Sequence, residues 1–230
     1  MLTIITRFSR REGFTKCYNS IHRERAGVRH LVTCQTDEDE AWLRQYPGIK
    51  ILRVPKVDLL RWGARPKSIH DSSRYYSPYN FHLTIAMHQV ETEWMGFLDD
   101  DDKVIPGKLS QLVCELQEVE KGNWAFAQVL VPYDTGLGGN ELPNDELFAR
   151  NCAGTLPLQW CNLCGIGMFL RREHVKYSAY GDLSGADYDT ALNLFRNGCA
   201  FSGLTNGPYF QIGEVGDGNH QFGMSYAPMA

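Results

Sequence analysis

Alternating β-type and α-type segments through the first half of the 230-residue chain predict an α/β domain, doubly wound around a mostly parallel central sheet. Two further observations support that class. Hydrophobic residues make up 43% and charged residues 22%, the balance of a folded globular protein with a substantial core. The fourth strand-like run, Trp94–Leu98, delivers the chain into four consecutive aspartates, and open α/β sheets bind ligands at the carboxyl ends of their strands.

The elements follow in order. Leu2–Thr6 is a short β-type run. Phe14, Cys17, Tyr18 and Ile21 recur at helical spacing and share one face, closed by Ala26-Gly27. Arg29–Cys34 is a second strand. Thr36 is placed to cap a helix whose first turn is acidic, Asp37 to Glu40, and whose apolar face is Trp42, Leu43 and Tyr46. Pro47-Gly48 stops it, and Ile49–Val54 is the third strand. Pro55 to Pro78 has no clear period and reads as a loop, before a helix from Asn80 to about Gln89. After the aspartates, Pro106 is expected to open a helix with Leu109, Leu112, Val113 and Leu116 on one face, ended by Lys121-Gly122. Trp124–Val131 and Ile166–Leu170 read as strands around a Gly-, Asn- and Pro-rich stretch, Tyr133 to Leu158. A helix from Asp187 puts Tyr188, Ala191, Leu192 and Phe195 in phase and stops at Asn197-Gly198; the tail from Gly203 is turn-rich.

Charge and cysteine usage narrow the function classes. Net charge is −4, so no global basic field favours nucleic acid. Arg7, Arg10, Arg11, Arg23 and Arg25 crowd the N-terminal segment and read as a solvated helix face, with phosphate contact as the alternative. The seven cysteines are scattered and odd in number, as reduced thiols would be; Cys161 and Cys164 have a metal-type spacing but no second close pair. No run approaches the ~20 apolar residues that span a bilayer. The opening apolar run is too short for a signal-peptide core, so a cytoplasmic protein is expected.

Asp99, Asp100, Asp101 and Asp102 carry the chemistry. Adjacent carboxylates repel, and at the end of an apolar strand they also lose hydration. A divalent cation relieves both costs, and an all-oxygen donor set favours Mg²⁺ or Mn²⁺ with open positions for substrate phosphates. The bland alternative is an acidic turn capping the next helix.

The segment Phe97-Leu98-Asp99-Asp100-Asp101-Asp102-Lys-Val-Ile-Pro106-Gly-Lys-Leu109 resembles the Asp-x-Asp region of family 2 glycosyltransferases. The opening Leu2-Thr-Ile-Ile-Thr6-Arg7-Phe-Ser-Arg10 is similar to that family's first strand and helix, and Gly185-Ala-Asp187-Tyr-Asp189 to its Glu-Asp region. The resemblance implies a GT-A (Rossmann-like) fold across residues 1–230. Its first part, to about 105, would bind the nucleotide sugar and the remainder the acceptor.

It also implies roles. Asp101 holds the metal, with Asp99 and Asp102 beside it and His220 returning from the tail. Thr6, Arg7, Asp37, Arg74, Asn80, Asp99 and Asp100 contact the donor, a UDP-sugar first among nucleoside-diphosphate sugars. Asp187 is the general base, Asp189 the alternative, and Ala186 replaces the family's acid. The reaction implied is inverting transfer to a hydroxyl of a glycan, protein or other macromolecular acceptor, with Mn²⁺ or Mg²⁺. The rivals are a sugar nucleotidyltransferase, disfavoured by the single glycine in Thr6–Gly13, an inactive GT-A domain binding a sugar or partner, and a transferase acting on DNA or on a protein rather than on glycan or lipid.

Overall fold

The computed structural model describes residues 1–24, 26–56, 79–127, 129–130, 165–178 and 186–211. Its first half alternates as expected: β1 (Leu2–Arg7), α1 (Arg11–His22), β2 (Arg29–Cys34), α2 (Asp37–Leu43), β3 (Ile49–Arg53), α3 (Tyr79–His88) and β4 (Trp94–Phe97). The second half contributes β5 (Lys103–Val104), α4 (Leu109–Glu118), β6 (Trp124–Ala127), β7 (Val129–Leu130), β8 (Met168–Arg171), α5 (Ala186–Arg196), β9 (Phe201–Leu204) and β10 (Phe210–Gln211).

Seven strands form the main sheet in the order β3-β2-β1-β4-β8-β6-β9. Neighbours run parallel except at β8, which is antiparallel to both β4 and β6. The strands are continuously apolar because both faces of the sheet are covered. Along β1, Ile4 points to a core shared with Cys17 and Ile21 of α1 and Leu109, Leu112 and Leu116 of α4. Ile5 points the other way, to Leu83, Ala86 and Met87 of α3 and Ala191 and Leu194 of α5. Each such side chain contributes about 1.5–3 kcal/mol on full burial.

The order of strands has a consequence for function. From β1 the chain winds outward through β2 to β3, then returns to place β4 on the other side of β1. The strand order thus reverses at β1, and the carboxyl ends of β1 and β4 lie side by side, the place where open α/β sheets take their ligands.

Several elements differ in detail from their sequence signals. The Pro106-Gly107 pair makes a turn, with Gly107 at φ +80°, and α4 begins only at Leu109. Its N-cap residue, Lys108, offers no capping side chain. Glu24 does that work from the end of α1, accepting from the amides of Gly107, Leu109 (2.9 Å) and Ser110 (3.3 Å). The expected strand from Trp124 to Val131 is divided: β6 belongs to the main sheet, and β7 joins β5 and β10 in a second, three-stranded sheet. In α5 the buried phase is Thr190, Ala191 and Leu194, and Phe195 is exposed. Thr36 caps α2 as expected, accepting from the Asp39 amide at 3.0 Å.

Candidate active site

β1 and β4 pair in register through Ile5 and Phe97, and the Leu98 amide continues the ladder to the Ile5 carbonyl at 3.0 Å. Arg7 and Asp99 consequently leave the sheet side by side. The Arg7 guanidinium grips Asp99 with Nε at 2.8 Å and Nη2 at 2.6 Å from Oδ1, and Nη2 at 2.5 Å from Oδ2. Asp99 keeps about a third of its side chain (34%) open to solvent.

Asp100 turns the other way and is shut in, at 1% exposure. Its Oδ2 accepts from the Ser9 amide (2.6 Å), the Ser9 hydroxyl (3.0 Å) and the Arg10 amide (2.6 Å), and its Oδ1 from Arg10 Nη2 (2.9 Å). Burial pushes this carboxyl up, while the Arg10 charge and the two amides pull it back. Asp100 thus ties the β1–α1 connection to the end of β4. Arg10 also reaches Asp101, with Nη2 2.7 Å from its Oδ1. Burial works against the Arg10 charge, but the two carboxylates outweigh it and hold the guanidinium above its usual value. Asp102 is buried, and its amide closes the turn by donating to the Asp99 carbonyl at 3.0 Å.

Close packing sets the position of this turn. A Cβ on Gly13 would lie 2.7 Å from the Asp100 carbonyl oxygen and 3.0 Å from Asp101 Cα. The first turn of α1 therefore rests directly on the acidic backbone.

The remaining expected site residues fall into three groups. Thr6 is fully buried, its hydroxyl 3.0 Å from His30 Nε2 and turned into the sheet's interior. Asp37, at the start of α2, is exposed and pairs with Arg53 Nη1 at 3.0 Å. Asp187 and Asp189 occupy the first turn of α5, half-buried. Since α5 packs on the sheet and ends just before β9, it runs back along that strand, directing its first turn toward the edge where β1 and β4 end. Asn80 lies in the first turn of α3. Its side chain, Arg74, His220, Cys161, Cys164 and the stretch 133–158 lie outside the described residues.

Sequence reasoning missed Arg10, read there as part of a solvated face, along with Ser9 and Gly13. Of that basic cluster, Arg11 does behave as a surface residue, pairing with Glu38 and lying over Trp42. It also missed His82 of α3, which is fully buried and pushed down to about 4 by burial and by the charge of Arg7. The one available signal was arithmetic: four adjacent carboxylates need counter-charge, and the arginines following β1 were the nearest supply.

Asp99 and Asp101 suit a divalent cation. Both are hard oxygen donors, and each is countered by a guanidinium that a metal ion could replace. Among the described residues no three His, Cys, Asp or Glu side chains converge on one point. Magnesium is commonly held by one or two carboxylates, with substrate phosphates completing its shell. A separate cavity of about 340 Å³, lined by Thr3, Arg29, His30, Lys50 and Glu91 among others, opens at the opposite edge of β1–β3, away from these groups.

No protein-family model and no curated protein matches the chain. Among solved structures it is similar to TarS of S. aureus, with a TM-score of 0.59 and 13% identity over 92% of this chain and 36% of that one. It is also similar to TarS 1–349 in complex with UDP-GlcNAc (TM-score 0.59, 16% identity, 100% of this chain and 62% of that one). A third is the mannosyltransferase PcManGT from Pyrobaculum calidifontis in complex with GDP-Man and Mn²⁺ (TM-score 0.54, 13% identity, 89% and 55%). The chain spans less than two thirds of the length of each of these. At such identities the likeness is one of fold, and that fold is the GT-A-like glycosyltransferase fold.

Proposed function

We propose that this chain is a nucleotide-sugar-dependent glycosyltransferase, with its reaction centre at the adjoining carboxyl ends of β1 and β4. The observation that carries the reading is the joining of Arg7, the last residue of β1, and Arg10, just after it, to Asp99, Asp100 and Asp101, which follow β4, at the point where the strand order reverses. The solved relatives in fold bound to UDP-GlcNAc and to GDP-Man with Mn²⁺ support it.

In this reading Asp101 and Asp99 would hold Mg²⁺ or Mn²⁺, with Asp102 behind them and His220 as a further donor; the ion's contribution is positive charge beside the leaving diphosphate. Arg7 and Arg10, freed from the carboxylates, meet the diphosphate oxygens as charge builds there. Asp37 and the backbone around Thr6 would meet the nucleoside, with Arg74 and Asn80 completing the donor contacts and Asp100 holding the connection that carries Arg10. Asp187 takes the proton of the acceptor hydroxyl as its oxygen attacks the anomeric carbon, and the bond to the diphosphate breaks on the opposite face. One displacement inverts the anomeric configuration. Support for Asp187 over Asp189 is the resemblance of its segment to the family 2 base region, weakened by Ala186.

The acceptor is a glycan, protein or other macromolecule. Among the described residues no helix is long and apolar enough to cross a membrane, and we place the enzyme in the cytoplasm.

The test is nucleoside diphosphate release from a panel of nucleotide sugars, with Mn²⁺ and with EDTA, by the wild type and by Asp101→Ala. Metal-dependent hydrolysis of one donor, absent from the variant, supports the assignment and identifies the sugar. No turnover and no metal-dependent nucleotide binding would move the protein to an inactive binding domain, a reading that Ala186 keeps in play.

A further inference from the structure

Arg10 is joined to the acidic turn in a way that donor recognition alone does not explain. A single nitrogen, Nη2, lies 2.9 Å from Asp100 Oδ1 and 2.7 Å from Asp101 Oδ1, so one guanidinium bridges two consecutive carboxylates. The two acids are not equivalent. Asp100 has a full set of other donors, since the Ser9 amide, the Ser9 hydroxyl and the Arg10 amide all serve its Oδ2. Removing the guanidinium from Asp100 would leave that carboxylate still well bonded. Asp101 is the acid whose position along the cluster suits it to a metal ion, and Arg10 sits on one of its two oxygens.

Mobility is also unequal. The Arg10 side chain is a quarter exposed (25%), whereas the Asp101 side chain is 6% exposed. The backbone under Asp101 is held by the bond from Asp102 to Asp99 and by Gly13 packed against its Cα. If anything moves on ligand entry, it is the guanidinium.

We infer that Arg10 is a displaceable counterion of Asp101. A divalent cation binding at Asp101 must evict the guanidinium, and a nucleoside diphosphate, whose paired phosphates suit a guanidinium fork, gives it a second place to bind. Arg10 thereby couples the two ligands: cation alone is held weakly, and cation with diphosphate is held well. The inference rests on the metal-dependent reading above and adds to Arg10's contact with the diphosphate a role in setting the affinity for the cation.

The test is a titration of Mn²⁺ into the full chain, followed by electron paramagnetic resonance of the free ion, with and without UDP. It is run for the wild type, Arg10→Gln and Arg10→Lys. In the wild type, UDP should tighten Mn²⁺ binding by about tenfold or more. In Arg10→Gln, Mn²⁺ alone should bind about tenfold more tightly than to the wild type, and the enhancement by UDP should shrink correspondingly.

Arg10→Lys keeps the charge without the fork and should lie between the two; it carries the comparison if the glutamine variant does not fold, as judged by its thermal melt. Equal Mn²⁺ affinity in the wild type and the folded variants, with the UDP enhancement intact, overturns the role of Arg10 and leaves the metal site standing. Absence of Mn²⁺ binding by the wild type even with UDP overturns both.

Discussion

Gly13 sits where a single methyl group decides whether the acidic turn keeps its place. The nearest obstacle to a Cβ there is backbone, the Asp100 carbonyl at 2.7 Å, and backbone cannot rotate aside as a flexible side chain would. Gly13→Ala should therefore cost about 1–3 kcal/mol in chemical denaturation. It should also lower donor turnover by on the order of 10²-fold, since displacing the aspartates by a fraction of an ångström spoils their alignment. A variant with wild-type turnover would show that the turn does not need the α1 contact.

Asp100 and Asp101 separate in the same manner, although they are neighbours of identical type. Asp100→Asn presents an amide NH₂ to donors that require an acceptor, and should destabilise by roughly 2 kcal/mol. Asp101→Asn, which still offers Arg10 an amide oxygen, should cost less, about 1 kcal/mol, and abolish metal-dependent turnover. Denaturation curves and donor hydrolysis on both variants check the split. The run of four aspartates was legible because its residues are adjacent in the chain. Their partners were not, because Arg10 meets Asp100 across 90 residues, and no local pattern reports a contact of that separation.

At the scale of elements, β1 and β2 are held together by more than their ladder. His30 of β2 is fully buried, with Nε2 3.0 Å from the Thr6 hydroxyl and Nδ1 3.3 Å from His22 Nε2 on α1. Burial, with the neighbouring His22, pushes it down to about 3. The sign of its pH dependence follows. The unfolded chain takes up a proton at this histidine near its ordinary value of about 6.5, the folded chain only near 3, so acid favours unfolding between the two.

Lowering the pH from 6.5 to 4.5 should remove about 2–3 kcal/mol of stability through this residue. His30→Gln, which keeps a polar group in the same place, should flatten the dependence. An unchanged slope would assign the effect elsewhere, with His82, pushed down to about 4, as the next histidine to replace. The elements themselves were readable wherever they were long and periodic, as in α1 with Phe14, Cys17 and Ile21 buried in phase. The two-residue strands β7 and β10 were not, since a pair of residues has no period and their pairing with each other is long-range. The start of α4 was misplaced for a related reason: its cap comes from Glu24, on another element.

For the whole molecule, the antiparallel strand β8 is the joint between the regular first half and the strands β6 and β9 of the second. Nothing in the run Met168–Arg171 announces its direction, because a strand buried on both faces reads alike either way. Arg171, at its end, is the residue that makes the joint. Its guanidinium lies over the Trp94 ring of β4, 4.2 Å from the centroid, and is paired with Glu93. It also donates to the carbonyls of Val119 (2.7 Å), Glu120 (3.2 Å) and Asn123 (3.2 Å) in the connection from α4 to β6. One nearly buried cation thus serves three backbone acceptors that would otherwise lose their partner, and it covers an aromatic face of the core.

Arg171→Ala removes all of this at once and should cost about 3–5 kcal/mol. Arg171→Lys, which keeps the charge but can neither stack flat nor reach three carbonyls, should recover less than half. The acidic turn at the end of β4 depends on β4 being held from the β8 side. Both variants should therefore lose donor affinity in proportion to their loss of stability, read by nucleotide titration below the melting temperature. A destabilised Arg171 variant that binds nucleotide as tightly as the wild type would show that the ends of β1 and β4 are held by the first half alone.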